Sequence, residues 1–169
     1  MALRCGYSTD GYNLFCDCVD VNWDKGFNHG SKVLYIKELT EKLESKFNVV
    51  KDVTTASPER RAQMLSPHCL MTPDGRCVQQ ASKPDWSYPG LFDFFYWHHI
   101  DYSDYEYIKS IDCFVDVFHN PAKGHGTQAR SLAMFKMLMI QEKTEYLYDI
   151  NKFIEWFNEN YNIIKREVD

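Results

Sequence analysis

The sequence holds no run of about 18 consecutive apolar residues, the length a bilayer-spanning helix needs. Its first residues, MALRCGYSTDGYNLF, contain no apolar stretch of signal-peptide length. The expectation is a soluble, cytoplasmic protein without a membrane partner. Clustered basic residues are missing too: 19 Lys and Arg against 24 Asp and Glu leave a net charge of -5, so the phosphate contacts that hold a nucleic-acid polymer are not anticipated. There is no internal repeat, no low-complexity tract and no CxxC pair. Residues that suggest a zinc site by type (Cys16, Cys18, His68, Cys69, Cys77, His98, His99) match no zinc template in spacing. Neither a metal nor a cofactor is therefore expected.

What is present fits one α/β domain over residues 1–169. The 44% hydrophobic content suffices for a core without disulfide staples, so the six cysteines are read as reduced, with Cys113 a small core hydrophobe. The 15% aromatic content is high and concentrates in YPGLFDFFYWHHIDY (88–102), where core packing plus a subunit contact competes with base stacking.

Strand and helix signals alternate along the chain. LFCDCVDV (14–21) reads as a first strand ending in an acidic rim. From Ser31, taken as an N-cap, Ile36, Leu39, Leu43 and Phe47 recur on one helical face, with Glu38 and Lys42 spaced for an i,i+4 pair. FNVVKDV (47–53) reads as a strand and SPERRAQML (57–65) as a short helix with Pro58 at its first position. SDYEYIKSI (103–111) is expected to be helical, DCFVDVFH (112–119) a buried strand, TQARSLAMFKML (127–138) a helix, MLMI a short strand overlapping its end, and EYLYDI (145–150) an edge strand. A closing helix carries Ile150, Phe153, Ile154, Phe157, Tyr161 and Ile164 on one stripe. The alternation predicts a flavodoxin-like, doubly wound parallel five-stranded sheet with strand order near 2-1-3-4-5.

In such a sheet, ligands sit beyond the carboxyl ends of the strands. HNPAKGHGTQ (119–128) belongs there, with Gly124 and Gly126 permitting close backbone approach and the next helix presenting free N–H groups. His119 and His125 are read first as polar turn residues, and Lys123 as solvated unless a phosphate binds. Asp104 is a candidate helix cap, and Asp17 and Asp20, at the end of a strand expected to be central, are either a solvated rim or ligand contacts.

The segment from Asp104 to Lys136 resembles the nucleoside 2-deoxyribosyltransferase superfamily, most closely its branch that hydrolyses deoxynucleoside monophosphates. The resemblance rests on Asp104, IDCFVDVF, Pro121 and the order Gly124-His125-Gly126-Thr127-Gln128. It implies cleavage or transfer at an N-glycosidic bond by two carboxylates, one a nucleophile and one handling the proton of the leaving base. Asp104 falls at the family's acid, and Gln128 falls where its nucleophilic Glu stands. Asp17, Asp20, Gly124, His125, Gly126 and Thr127 would contact the substrate. The acidic CDCVDVNWDKG (16–26) suits a free nucleoside better than a monophosphate, and Ala122 replaces a base-holding Asp. The resemblance also implies a homo-oligomer, in which a neighbour helps complete the site. The expected partner is thus a nucleoside or nucleotide, handled by an impaired or trapped enzyme. A non-catalytic nucleoside or nucleotide binder and a protein-interaction module remain open.

Overall fold

The computed structural model describes residues 2–23, 29–54, 69–71, 77–80, 90–98, 100–123 and 127–167. The helix expected at 57–65, His68, His99 and the glycine turn 124–126 lie outside the described residues.

The chain opens with a strand that the sequence pattern did not single out, Ala2–Thr9 (β1), which turns back into Leu14–Val21 (β2). The turn is built locally. The Asp10 carboxylate accepts from the backbone N–H of Tyr12 (2.9 Å) and Asn13 (2.7 Å), Thr9 Oγ1 donates to the Asn13 carbonyl, and Gly11 takes φ 101°. A reversal this short makes the strands antiparallel, with Cys5 opposite Cys18 and Tyr7 opposite Cys16.

Next come helix His29–Leu43 (α1), strand Val50–Asp52 (β3) and an antiparallel pair, Cys69–Met71 (β4) with Cys77–Gln80 (β5). Helices Leu91–His98 (α2) and Tyr105–Ser110 (α3) lead into strand Cys113–Val115 (β6) and helix Gln128–Ile140 (α4). Helix Ile150–Asn160 (α5) and strand Ile163–Glu167 (β7) finish the fold.

The main sheet has the order β3-β6-β1-β2-β7. β3 runs parallel to β6 and β2 parallel to β7, whereas β1 is antiparallel to both of its neighbours. The sheet is therefore mixed, not the all-parallel one anticipated, and its order is not 2-1-3-4-5. The β1–β2 hairpin is the physical reason: it inserts a reversed strand at the centre.

Helices cover both faces. Successive β6 residues alternate between two cores: Cys113 and Val115 meet Leu39 and Leu43 of α1, while Phe114 joins Tyr7, Cys16 and the buried residues of α4. Beyond α4, the aromatic segment is core. Trp97 packs edge-on against Phe153 and Trp156 with centroids 5.5 and 6.1 Å apart, and donates its indole N–H to the Ser131 carbonyl at 3.0 Å.

Several local expectations change. MLMI completes α4 as helix. EYLYDI is a 3₁₀ turn, Thr144–Tyr148, followed by Asp149, whose carboxylate caps α5 by accepting from Asn151 and Lys152 N–H. The edge strand is instead β7: the closing helix stops at Asn160, and Ile164 belongs to the strand. Ser31 lies within α1, which begins at His29, while the Glu38–Lys42 pair forms at 3.2 Å. Cys5 and Cys18, expected as thiols, are joined as a disulfide, since the hairpin register sets them face to face. No helix among the described residues is long and apolar enough to cross a membrane.

Candidate functional site

The carboxyl end of β6 gathers polar groups from four elements. Asp116 follows directly on Val115, half-buried, and both of its carboxylate oxygens are engaged. Oδ1 accepts from Phe118 N–H (2.9 Å) and Oδ2 from the Thr127 hydroxyl (3.1 Å). Thr127 is the N-cap of α4: in extended conformation (φ -140°, ψ 152°), its Oγ1 also accepts from Ala129 N–H. The strand end is thereby tied to the helix start. Beside them, Val117 N–H donates to Thr54 Oγ1 (2.9 Å), and Arg4 Nε donates to the Val117 carbonyl (2.7 Å) while its guanidinium stacks on Trp23. Burial lowers the Arg4 pKa, and the negative charge of Asp116 pulls it back upward.

Tyr7 and His119 lie on the α4 side of this end, with Tyr7 Oη 3.2 Å from His119 Nε2. Burial holds the Tyr7 phenol far above its ordinary range, the nearby Cys16 adds to the rise, and Arg130 opposes it. Tyr7 is a neutral hydroxyl that can hydrogen-bond His119 and has no access to the phenolate. Behind it the Arg130 guanidinium binds both carboxylate oxygens of Asp93 (3.0 and 3.1 Å) and lies 5.0 Å from the Tyr161 ring centroid. This buried ion pair fastens α2 to the first turn of α4, and so positions the helix start.

The residues expected to form the site are only partly gathered there. Thr127 is at its centre, and Gln128 is half-buried as the first residue of α4. Asp104 is exposed at the end of a 3₁₀ turn, makes no capping bond to α3, and among the described residues has no hydrogen bond to Gln128. Asp17 and Asp20 form no common rim. Three residues apart on β2, they face opposite sides of the sheet, Asp17 fully buried toward α1 and Asp20 exposed. Gly124, His125 and Gly126 lie outside the described residues. Asp116, Tyr7 and Arg130 were not anticipated. Two of them carry a faint signal: Asp116 is an acid interrupting the apolar run CFVDVF, and Arg130 is a charge in the largely apolar helix sequence QARSLAMFKMLMI.

A concave region lies at the other end of β6. A cavity of about 280 Å³ is lined by Ser8, Phe15, Lys46, Asp112, Lys136 and Arg166, among others. Its polar groups are largely committed to the fold: Asp112 accepts from Val49 N–H (2.9 Å), and Lys136 donates to the Ile111 carbonyl (2.7 Å), with burial lowering its pKa. Among the described residues the buried Ser8 hydroxyl has no hydrogen-bond partner, and neither has the Asp17 carboxylate deeper in the same layer.

No family model and no curated protein matches the chain.

Proposed function

We propose that the protein binds a nucleoside at the carboxyl end of β6 and acts on its N-glycosidic bond, with Asp116 as the working carboxylate. One observation carries the reading: the Thr127 hydroxyl holds Asp116 against the start of α4, so a fixed carboxylate and a helix N-terminus converge on one spot. An anion held there stabilises the positive charge that develops on the sugar as the base departs. His119, beside the neutral Tyr7 hydroxyl, is the group at this end of β6 that passes a proton to that base. Gln128 then serves as an amide contact to sugar hydroxyls, and Asp104 has no role in the step. The same reading includes self-association, supported by Val33 and Leu34 of α1, which are 51% and 65% exposed.

A second reading, binding without turnover, is favoured by α4 having no acidic residue in its first turn, where the resembled family places its nucleophile. One experiment separates the two. Wild-type protein is incubated with a panel of nucleosides and 2'-deoxynucleosides, with binding followed by calorimetry and free base by chromatography. The glycosidic reading expects base release that falls about 100-fold or more in Asp116→Asn and rises in Gln128→Glu. Binding with no release from any of the three proteins leaves the binder reading. If no nucleoside binds, both readings fail.

A further inference from the structure

β1 and β2 bring three cysteine sulfurs together on the sheet face beneath α4. Cys16 and Cys18 are two apart on β2 and so share that face, and Cys5 stands opposite Cys18 in the hairpin register. The three sulfurs lie within 4.8 Å of one another, with Cys16 Sγ 3.4 Å from Cys18 Sγ. Cys5 and Cys16 are each 1% exposed, whereas Cys18 is half-buried and gives the cluster its opening to solvent.

We propose that Cys5, Cys16 and Cys18, once reduced, form a thiolate site for a thiophilic divalent metal ion of the Zn(II) class, and that the Cys5–Cys18 disulfide is the oxidised form that closes it. Size and charge both support this choice. Zinc–thiolate bonds of about 2.3 Å set tetrahedral sulfurs roughly 3.8 Å apart, a spacing within the range that the cluster already spans. Three thiolates around a divalent ion leave one net negative charge, where a monovalent ion would leave two. On a largely apolar face the smaller net charge is the less costly. Lys165, opposite Cys16 in the β2–β7 register, is a cation placed to offset it, and Tyr7, opposite Cys16 in the β1–β2 hairpin, offers its hydroxyl as an outer partner.

Opening the site takes two electrons and two protons. A dithiol or phosphine reductant is oxidised, the sulfur–sulfur bond breaks, and Cys5 and Cys18 become thiols. Metal binding then releases the proton of each coordinating thiol to solvent.

The test uses the whole chain, reduced by a phosphine and kept without oxygen, titrated with Zn(II) against a chromophoric chelator and with Co(II) as an optical probe. Expected are tight binding of Zn(II), thiolate-to-cobalt charge-transfer absorption, and neither in the disulfide form. Cys16→Ser should weaken binding about 100-fold or more and Tyr7→Phe about 10-fold, while Cys113→Ser, in the other core, should have no effect. Should a serine variant misfold, alkylation of the folded wild type with and without Zn(II), mapped by mass spectrometry, reads the same point: the ion should protect Cys5, Cys16 and Cys18 together. Absence of the charge-transfer band in the reduced chain overturns the proposal, as does a band that survives in Cys16→Ser or protection confined to Cys69 and Cys77.

Discussion

Gly6 shows how much one side chain decides in this fold. It lies on β1 opposite Asp17 and Val115, and a Cβ there would press into Cys113 Sγ and Leu43 Cδ1 where α1 meets the sheet. Gly6→Ala should therefore cost about 1–3 kcal/mol through overpacking, measured as a lower midpoint in urea unfolding; an unchanged midpoint would mean that α1 shifts freely. The residues named for the site divide in a similar way. Thr127 was read as the first residue of a helix and as a substrate contact; the structure makes it the N-cap just before α4, a place that suits a hydroxyl side chain. Asp17 and Asp20 were misjudged as a pair, because strand geometry separates residues of opposite parity. Tyr7, His119 and Asp116 meet from sequence positions more than a hundred apart for the first two, a distance over which local pattern carries no information.

At the scale of elements, α4 is the piece on which the site depends, and two contacts set its start: Thr127 with Asp116, and Arg130 with Asp93. The second is a buried ion pair, with side chains 5% and 2% exposed. Arg130→Met leaves the Asp93 carboxylate buried without its partner and should cost about 3–5 kcal/mol, whereas Arg130→Met combined with Asp93→Leu should recover most of that loss. Denaturant unfolding of the single and double variants checks it, and a double variant no more stable than the single one would refute the account. The elements themselves were read unevenly. α1, α4 and the buried strand β6 were evident from periodicity. β1 was not, because ALRCGYST mixes Arg, Gly and Ser into a strand whose buried residues face both cores. β7 was absorbed into the closing helix, since Ile164 continues the α5 stripe in sequence although the chain has already turned at Tyr161 and Asn162.

For the whole molecule, the Asp17 carboxyl links stability to pH. Burial raises its pKa, Arg166 and then Lys46 oppose the rise, and among the described residues neither oxygen has a hydrogen-bond partner. A carboxyl whose pKa is higher in the folded chain than in the unfolded one stabilises the fold fully below the unfolded value, about 3.9, and loses that contribution as pH rises through the folded value. Asp17→Asn removes the ionisation, so it should raise stability at pH 7 by about 1 kcal/mol, with the gain shrinking toward pH 4. Urea unfolding at the two pH values tests this, and a gain equal at both would show that ionisation is not the cause.

The amino-acid sequence by itself determined the class of fold, the helices flanking the sheet and the place of the β6–α4 connection. These follow from local periodicity, capping and burial of apolar stripes, each readable within a window of a dozen or so residues. Only the tertiary structure decided the strand order, the reversed central strand, the Cys5, Cys16 and Cys18 cluster and the partnership of Asp116 with Thr127. Each depends on which strand pairs with which and in what register, and pairing is chosen by burial summed over the whole sheet, not by the residues on either side of a given position.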